Sequence, residues 1–120
     1  MKPIMQKNMY NPQKGIKGDC YRACICSLLE ISDKNVPNFI EDPNYPMNVV
    51  EFLKRKGYRL RHSTEYPSDI EYCIANGLSP RGVRHSVIYS KGKLVHDPHP
   101  NGGDVVVDLY LWLEPREVIL

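Results

Sequence analysis

Helical spacing of apolar residues in the first half of the chain gives way, from Val83 onward, to the alternation and β-branched runs of strands. Residues 20–30 carry Ala23, Cys24 and Leu28 on one helical face, extended by Ile31, behind Asp19, a favourable N-cap. Pro37 bars a long continuation. A second helix is expected over 48–56, with Val49, Phe52 and Leu53 on one face and Gly57 ending it. Residues 58–62 alternate as a short strand. Ser68-Asp69-Ile70-Glu71 has the S-x-x-E form of a capping box and predicts a third helix ending at Gly77. Residues 83–89 and 93–97 read as a hairpin, and 105–112 as a further strand. Helices early and strands late predict an α+β fold with an antiparallel sheet. Residues 1–18 read as an irregular leader. There is no repeat or low-complexity segment, and the prolines and glycines are scattered rather than gathered into a linker, so 1–120 is expected to be a single domain.

Charge narrows the partners. Sixteen basic and fourteen acidic residues leave a formal charge of +2, which implies no obligatory nucleic-acid or membrane partner. No apolar run approaches the roughly 18 residues of a membrane span. The opening fifteen residues are polar, without the apolar stretch of a secretory signal, so a cytoplasmic location is expected. In that compartment Cys20, Cys24, Cys26 and Cys73 should stay reduced. Three of them share one short helix, a poor framework for disulfides.

Cys20 is the first chemical signal, because Gly18-Asp19-Cys20 runs straight into a helix. A thiol attacks as its thiolate, and the first turn of a helix favours the anion through its open N–H groups and the positive end of the dipole. The same N–H groups can hold an oxyanion on a substrate. The glycine before it lets the chain bend tightly. The other three cysteines read as small apolar core residues.

His85 and Asp97 are the second. A three-residue loop of Ser90, Lys91 and Gly92 would set Tyr89 opposite Lys93, Val87 opposite Val95 and His85 opposite Asp97. Opposed residues have Cβ atoms about 5 Å apart, within reach for a carboxylate to fix one imidazole nitrogen and leave the other to take a thiol proton. A two-residue loop would put them on opposite faces. Cysteine, histidine and aspartate together fill the three roles of an acyl-transfer triad. His96-Asp97-Pro98-His99 has two histidines close enough to suggest a metal, yet no third ligand follows. Both are expected at the surface or rim, with no metal and no cofactor.

The run Gly18-Asp19-Cys20-Tyr21-Arg22-Ala23-Cys24 with its leucine-rich continuation resembles the nucleophile helix of papain-like cysteine peptidases, and is nearest to the C39-like group that includes bacteriocin-processing peptidases. Ser79-Pro80-Arg81-Gly82 before the histidine and His96-Asp97-Pro98-His99-Pro100 after it are similar to small phage and prophage proteins. The resemblance spans about residues 13–115. It implies a papain-like fold, with the nucleophile helix packed on the sheet and a Cys20–His85–Asp97 triad. It also implies an upstream glutamine that donates to the oxyanion, for which Gln13 is the better candidate and Gln6 the poorer. The implied activity is cysteine-dependent hydrolysis or acyl transfer at a peptide, isopeptide or amide bond of a protein or peptide, which a phage-encoded chain would meet in the host cytoplasm. The competing expectation is a phage-type binding protein that keeps the fold and sequesters a host protein or small molecule without turnover.

Overall fold

Strand β5, Val106–Pro115, is the last described element in the chain yet lies inside the sheet. The computed structural model describes residues 1–116. Two helices, α1 (Cys20–Leu29) and α2 (Met47–Arg55), precede β1 (Tyr58–Ser63), β2 (Cys73–Leu78), β3 (Arg84–Ser90) and β4 (Lys93–His96). The strands run antiparallel in the order β1-β5-β2-β3-β4. The fold is α+β, as the sequence pattern indicates. Among the described residues, no helix is long and apolar enough to cross a membrane.

The core follows from register. Ile74 of β2 pairs with Ile88 of β3 on one side and Leu111 of β5 on the other, forming an apolar row across the sheet. Cys24 and Ile25 of α1, Val49, Phe52 and Leu53 of α2, and Phe39 pack into the same cluster. Burying each larger side chain is worth about 1.5–3 kcal/mol. Gly57 ends α2 at φ +89°, donating its N–H to the Lys54 carbonyl.

The third helix does not form. Ser68 to Glu71 lie in a turn closed by the Ile70 N–H on the Pro67 carbonyl, and β2 replaces the expected helical run. Tertiary pairing overrides the capping signal because β2 sits between β3 and β5, with Cys73, Ile74 and Ala75 all buried. Burial on both faces leaves no alternation to read. Gly77 sits at a bulge, where a Cβ would overlap the Val106 carbonyl.

The β3–β4 hairpin also differs from its expected register. Ser90 pairs with Lys93 across a two-residue loop, with Lys91 at φ +52° and Gly92 at φ +74°. Positive φ at both positions matches the twist that two-residue hairpins prefer. The Gly92 N–H also donates to the Tyr66 hydroxyl at 2.7 Å. Tyr89 then pairs with Leu94 but Ile88 with His96, so Val95 is an extra, bulged residue.

Residues 1–8 do not hang free. The Lys2 N–H donates to the Ser27 carbonyl, the Ile4 N–H to the Ser27 hydroxyl and the Gln6 N–H to the Pro98 carbonyl, all at 2.9–3.0 Å. The segment is thereby tied both to α1 and to the end of β4.

Candidate active site

Asp19 holds the N-cap position of α1 but does not cap it. Its buried carboxylate turns back to accept the backbone N–H groups of Lys7 (3.0 Å) and Asn8 (2.8 Å) and the Arg22 guanidinium (2.6 Å). Two consequences follow. The N–H groups of the first turn are not covered by a capping side chain. The 6–8 segment is also folded across the helix start, where Gly18 makes room for it: a Cβ there would lie 3.3 Å from the Tyr10 nitrogen and 3.6 Å from Gln6 Nε2.

Cys20, the first residue of α1, is half-buried. Burial pushes its thiol up. The Ser86 N–H and hydroxyl and the Tyr21 N–H pull the other way, and the Asp19 carboxylate adds to the rise. The helix start does not deliver the lowered thiol expected from position alone, because desolvation of the thiolate outweighs its donors. Cys20 therefore rests as a thiol and needs a base to release its proton.

His85 opens β3 and Asp97 follows β4, at the same end of the sheet. His85 Nε2 and Asp97 Oδ1 lie 2.7 Å apart, with side-chain exposures of only 4% and 7%. The Asp97 carboxylate also accepts the His99 N–H at 2.9 Å and the Asp104 N–H at 3.2 Å. Burial would raise its carboxyl, but the His85 ring and the two N–H donors outweigh burial and hold it below the usual value. With Nε2 committed to Asp97, Nδ1 is the ring nitrogen left for a thiol.

Cys20 and His85 line one cavity of about 650 Å³, and Gly18 borders it. Thiol and imidazole are not hydrogen-bonded at rest, and the hydroxyl of the neighbouring Ser86 donates to Asn76 Oδ1 at 2.7 Å. Met9, Tyr10, Ile40 and Tyr45 add apolar surface, while Arg81, Arg84 and His99 belong to the β2–β3 and β4–β5 connections and their flanks.

The structure places Gln13 elsewhere. It lies exposed on the 3-10 turn Pro12–Lys14, away from the cavity lining. Gln6 lines the cavity instead. It is buried, its Nε2 donates to the Asn8 carbonyl at 2.9 Å, and its Oε1 has no hydrogen-bond partner among the described residues. No local motif marks Gln6, because its position depends on Asp19 catching the backbone of the two residues after it.

The two histidines around Asp97 part company. His96 is buried rather than on the surface, and its ring donates to the Ile4 carbonyl at 2.8 Å. His99 is on the cavity rim, as expected, with its ring set edge-to-face against His85 at 6.0 Å between centroids. Among the described residues, no three His, Cys, Asp or Glu side chains gather as metal ligands. The four cysteines are free thiols.

The chain matches no protein-family model, no curated protein and no solved structure.

Proposed function

We propose that this chain is a cysteine-dependent hydrolase or acyl transferase of papain-like, C39-like type, acting on a peptide, isopeptide or amide bond of a protein or peptide. The observation that carries the reading is the buried His85–Asp97 pair at 2.7 Å, with His85 lining the same cavity as a cysteine on the first turn of a helix. In this scheme the Cys20 sulfur attacks the carbonyl carbon while His85 Nδ1 takes the thiol proton. Asp97 holds the ring and stabilises the imidazolium. The oxyanion is met by the first-turn N–H groups of α1 and by the Gln6 carboxamide. The C–N bond then breaks, the amine departs with the proton from His85, and a thioester remains on Cys20. Water, or an acceptor amine, attacks the thioester with His85 again as base, returning the thiol. No cofactor enters. The phage-like features point to a substrate in a host cytoplasm.

The test is alkylation of Cys20 by iodoacetamide near pH 7, followed by mass spectrometry, in wild type and in His85→Gln. The expected result is a fall of tenfold or more in the variant, whose labelling should appear only at alkaline pH, where its raised thiol ionises unaided. Equal rates in the two proteins would favour the rival reading, a binder that sequesters its partner without turnover. Comparing host-lysate proteins after incubation with wild type and Cys20→Ala would then identify the bond cleaved.

A further inference from the structure

The cavity beside Cys20 has an uneven charge. Among the described residues none that lines it is acidic, while Lys17, Arg81 and Arg84 all contribute to it. Arg84 is neutralised by Asp108 through two bonds of 2.7 Å. Arg81 has no acidic partner among the described residues: its Nη1 donates to the Gly102 carbonyl at 2.8 Å, which anchors the guanidinium without cancelling its charge. That bond also ties the turn before β3 to the loop after Asp97.

His99 belongs to the same loop and is equally fixed. Its Nδ1 accepts the Asn101 N–H at 3.0 Å, and its carbonyl accepts the Gly102 N–H at 2.9 Å. An Nδ1 that accepts leaves the proton of the neutral ring on Nε2. Burial, then the nearby Arg81 charge, holds this imidazole below its ordinary value, so it stands as a neutral N–H donor. One anchored cation and one anchored donor therefore stand together on the rim, next to the base His85.

We propose that Arg81 and His99 form a carboxylate subsite, so that the substrate of this site carries a carboxylate within about two residues of the scissile bond. The reach follows from the 6.0 Å between the His85 and His99 rings, set against about 3.5 Å per extended residue. This deepens the acyl-transfer reading and rests on it. The carboxylate can be an acidic side chain or a free C-terminus; both offer the same two oxygens to a guanidinium and an N–H.

The test uses the full chain and three chloroacetylated probes that alkylate Cys20: glycinamide (neutral), glycine (terminal carboxylate) and glutamate α-amide (side-chain carboxylate). Each rate is divided by that of a small model thiol with the same probe. The expected result is a preference of about tenfold for one or both anionic probes over the neutral one, as two partly exposed charge-assisted contacts would give. The preference should shrink in 0.5 M salt, persist in Arg81→Lys and fall in Arg81→Gln and His99→Gln. The wild-type ratio and its salt dependence decide the matter even where a variant does not fold. Faster glycine or faster glutamate amide identifies which carboxylate is read. Rates independent of probe charge, with Cys20 labelling still lost in His85→Gln, would overturn the subsite alone. Labelling indifferent to both probe charge and His85 would overturn the acyl-transfer reading and the subsite with it.

Discussion

Asp97→Asn isolates the charge of the third residue from its geometry. Asp97 Oδ1 takes both the His85 ring (2.7 Å) and the His99 N–H (2.9 Å), whereas Oδ2 takes only the Asp104 N–H (3.2 Å). An asparagine therefore turns its carbonyl oxygen to the Oδ1 position. It keeps the two shorter bonds and sets its NH2 against the Asp104 N–H. The His85 tautomer survives, and what disappears is the anion facing the imidazolium. At about 4 Å and an effective dielectric near 20, that interaction is worth about 4 kcal/mol. At 1.36 kcal/mol per tenfold, acyl transfer should slow by about 10²–10³, allowing for incomplete charge development in the transition state. The assay is the p-nitrophenolate burst from p-nitrophenyl acetate, which reports acylation of Cys20. Stability should fall by only about 1 kcal/mol, for one weak bond. The pH dependence has a definite sign. The Asp97 carboxyl titrates lower folded than unfolded, so its stabilisation is complete above about pH 4 and is lost as pH falls through the folded value. The melting-temperature gap between wild type and Asp97→Asn should narrow below about pH 4. A burst within twofold of wild type would remove Asp97 from the site and leave at most a Cys20–His85 dyad.

Cys20→Ala should abolish the burst and leave the melting temperature nearly unchanged, because the residue is half-buried at a helix start; a surviving burst would place the nucleophile elsewhere. Cys24→Ala, one turn on and fully buried, should cost about 1 kcal/mol by urea denaturation and keep the burst, and the reverse pattern would exchange the roles of the two cysteines. Asp19→Ala leaves the Arg22 charge without its carboxylate and releases residues 7 and 8, so a loss of about 3 kcal/mol and faster proteolysis of the leader are expected; unchanged protection of the leader would show that Asp19 does not hold it. Gly77→Ala forces a Cβ into the Val106 carbonyl, and a denaturation midpoint near wild type would show that the bulge is not built as described.

Local signals carried most of the fold. Both helices, β1, β3 and β4 start and stop within a residue of where periodicity and capping place them; β5 ends three residues beyond its pattern. Each is amphipathic or terminated by its own sequence, so its limits are written within a few residues. β2 was illegible for the opposite reason. Its environment is supplied by β3 and β5, partners close in space on both sides, and a strand buried on both faces shows no alternation. The same division runs through the site. Cys20 at a helix start and His85 at a strand start are local features. Gln6 is not, since it stands fourteen positions before Cys20 and is brought there by the back-turned carboxylate of Asp19 and by its own N–H bond to the Pro98 carbonyl.

The His85–Asp97 pair shows how a wrong register can still bring the right side chains together. A two-residue loop, taken alone, shifts β4 by one residue and sends Asp97 to the face opposite His85. The bulge at Val95 adds one residue back. Counting on from the Ile88–His96 pair, Asp97 falls on the face of Val87, and therefore of His85, two residues along the same strand. The two one-residue shifts cancel in facing but not in stagger, so Asp97 meets His85 along a diagonal rather than directly across. That diagonal suits the chemistry. Asp97 lies beyond the last ladder pair, free to turn Oδ2 toward the Asp104 N–H while Oδ1 holds the ring, and a residue locked opposite His85 in mid-strand would have its backbone committed to the sheet. Deleting Val95 straightens the strand without changing the pairs around it: Leu94 still meets Tyr89, His96 still meets Ile88, and Asp97 stays on the face of His85. The expected readout is a burst close to wild type, with His85 still protected as an Nε2–H tautomer in ¹⁵N spectra. A burst lowered as far as in Asp97→Asn would show that the bulge itself, and not the facing of the strand, aims Asp97 at the ring.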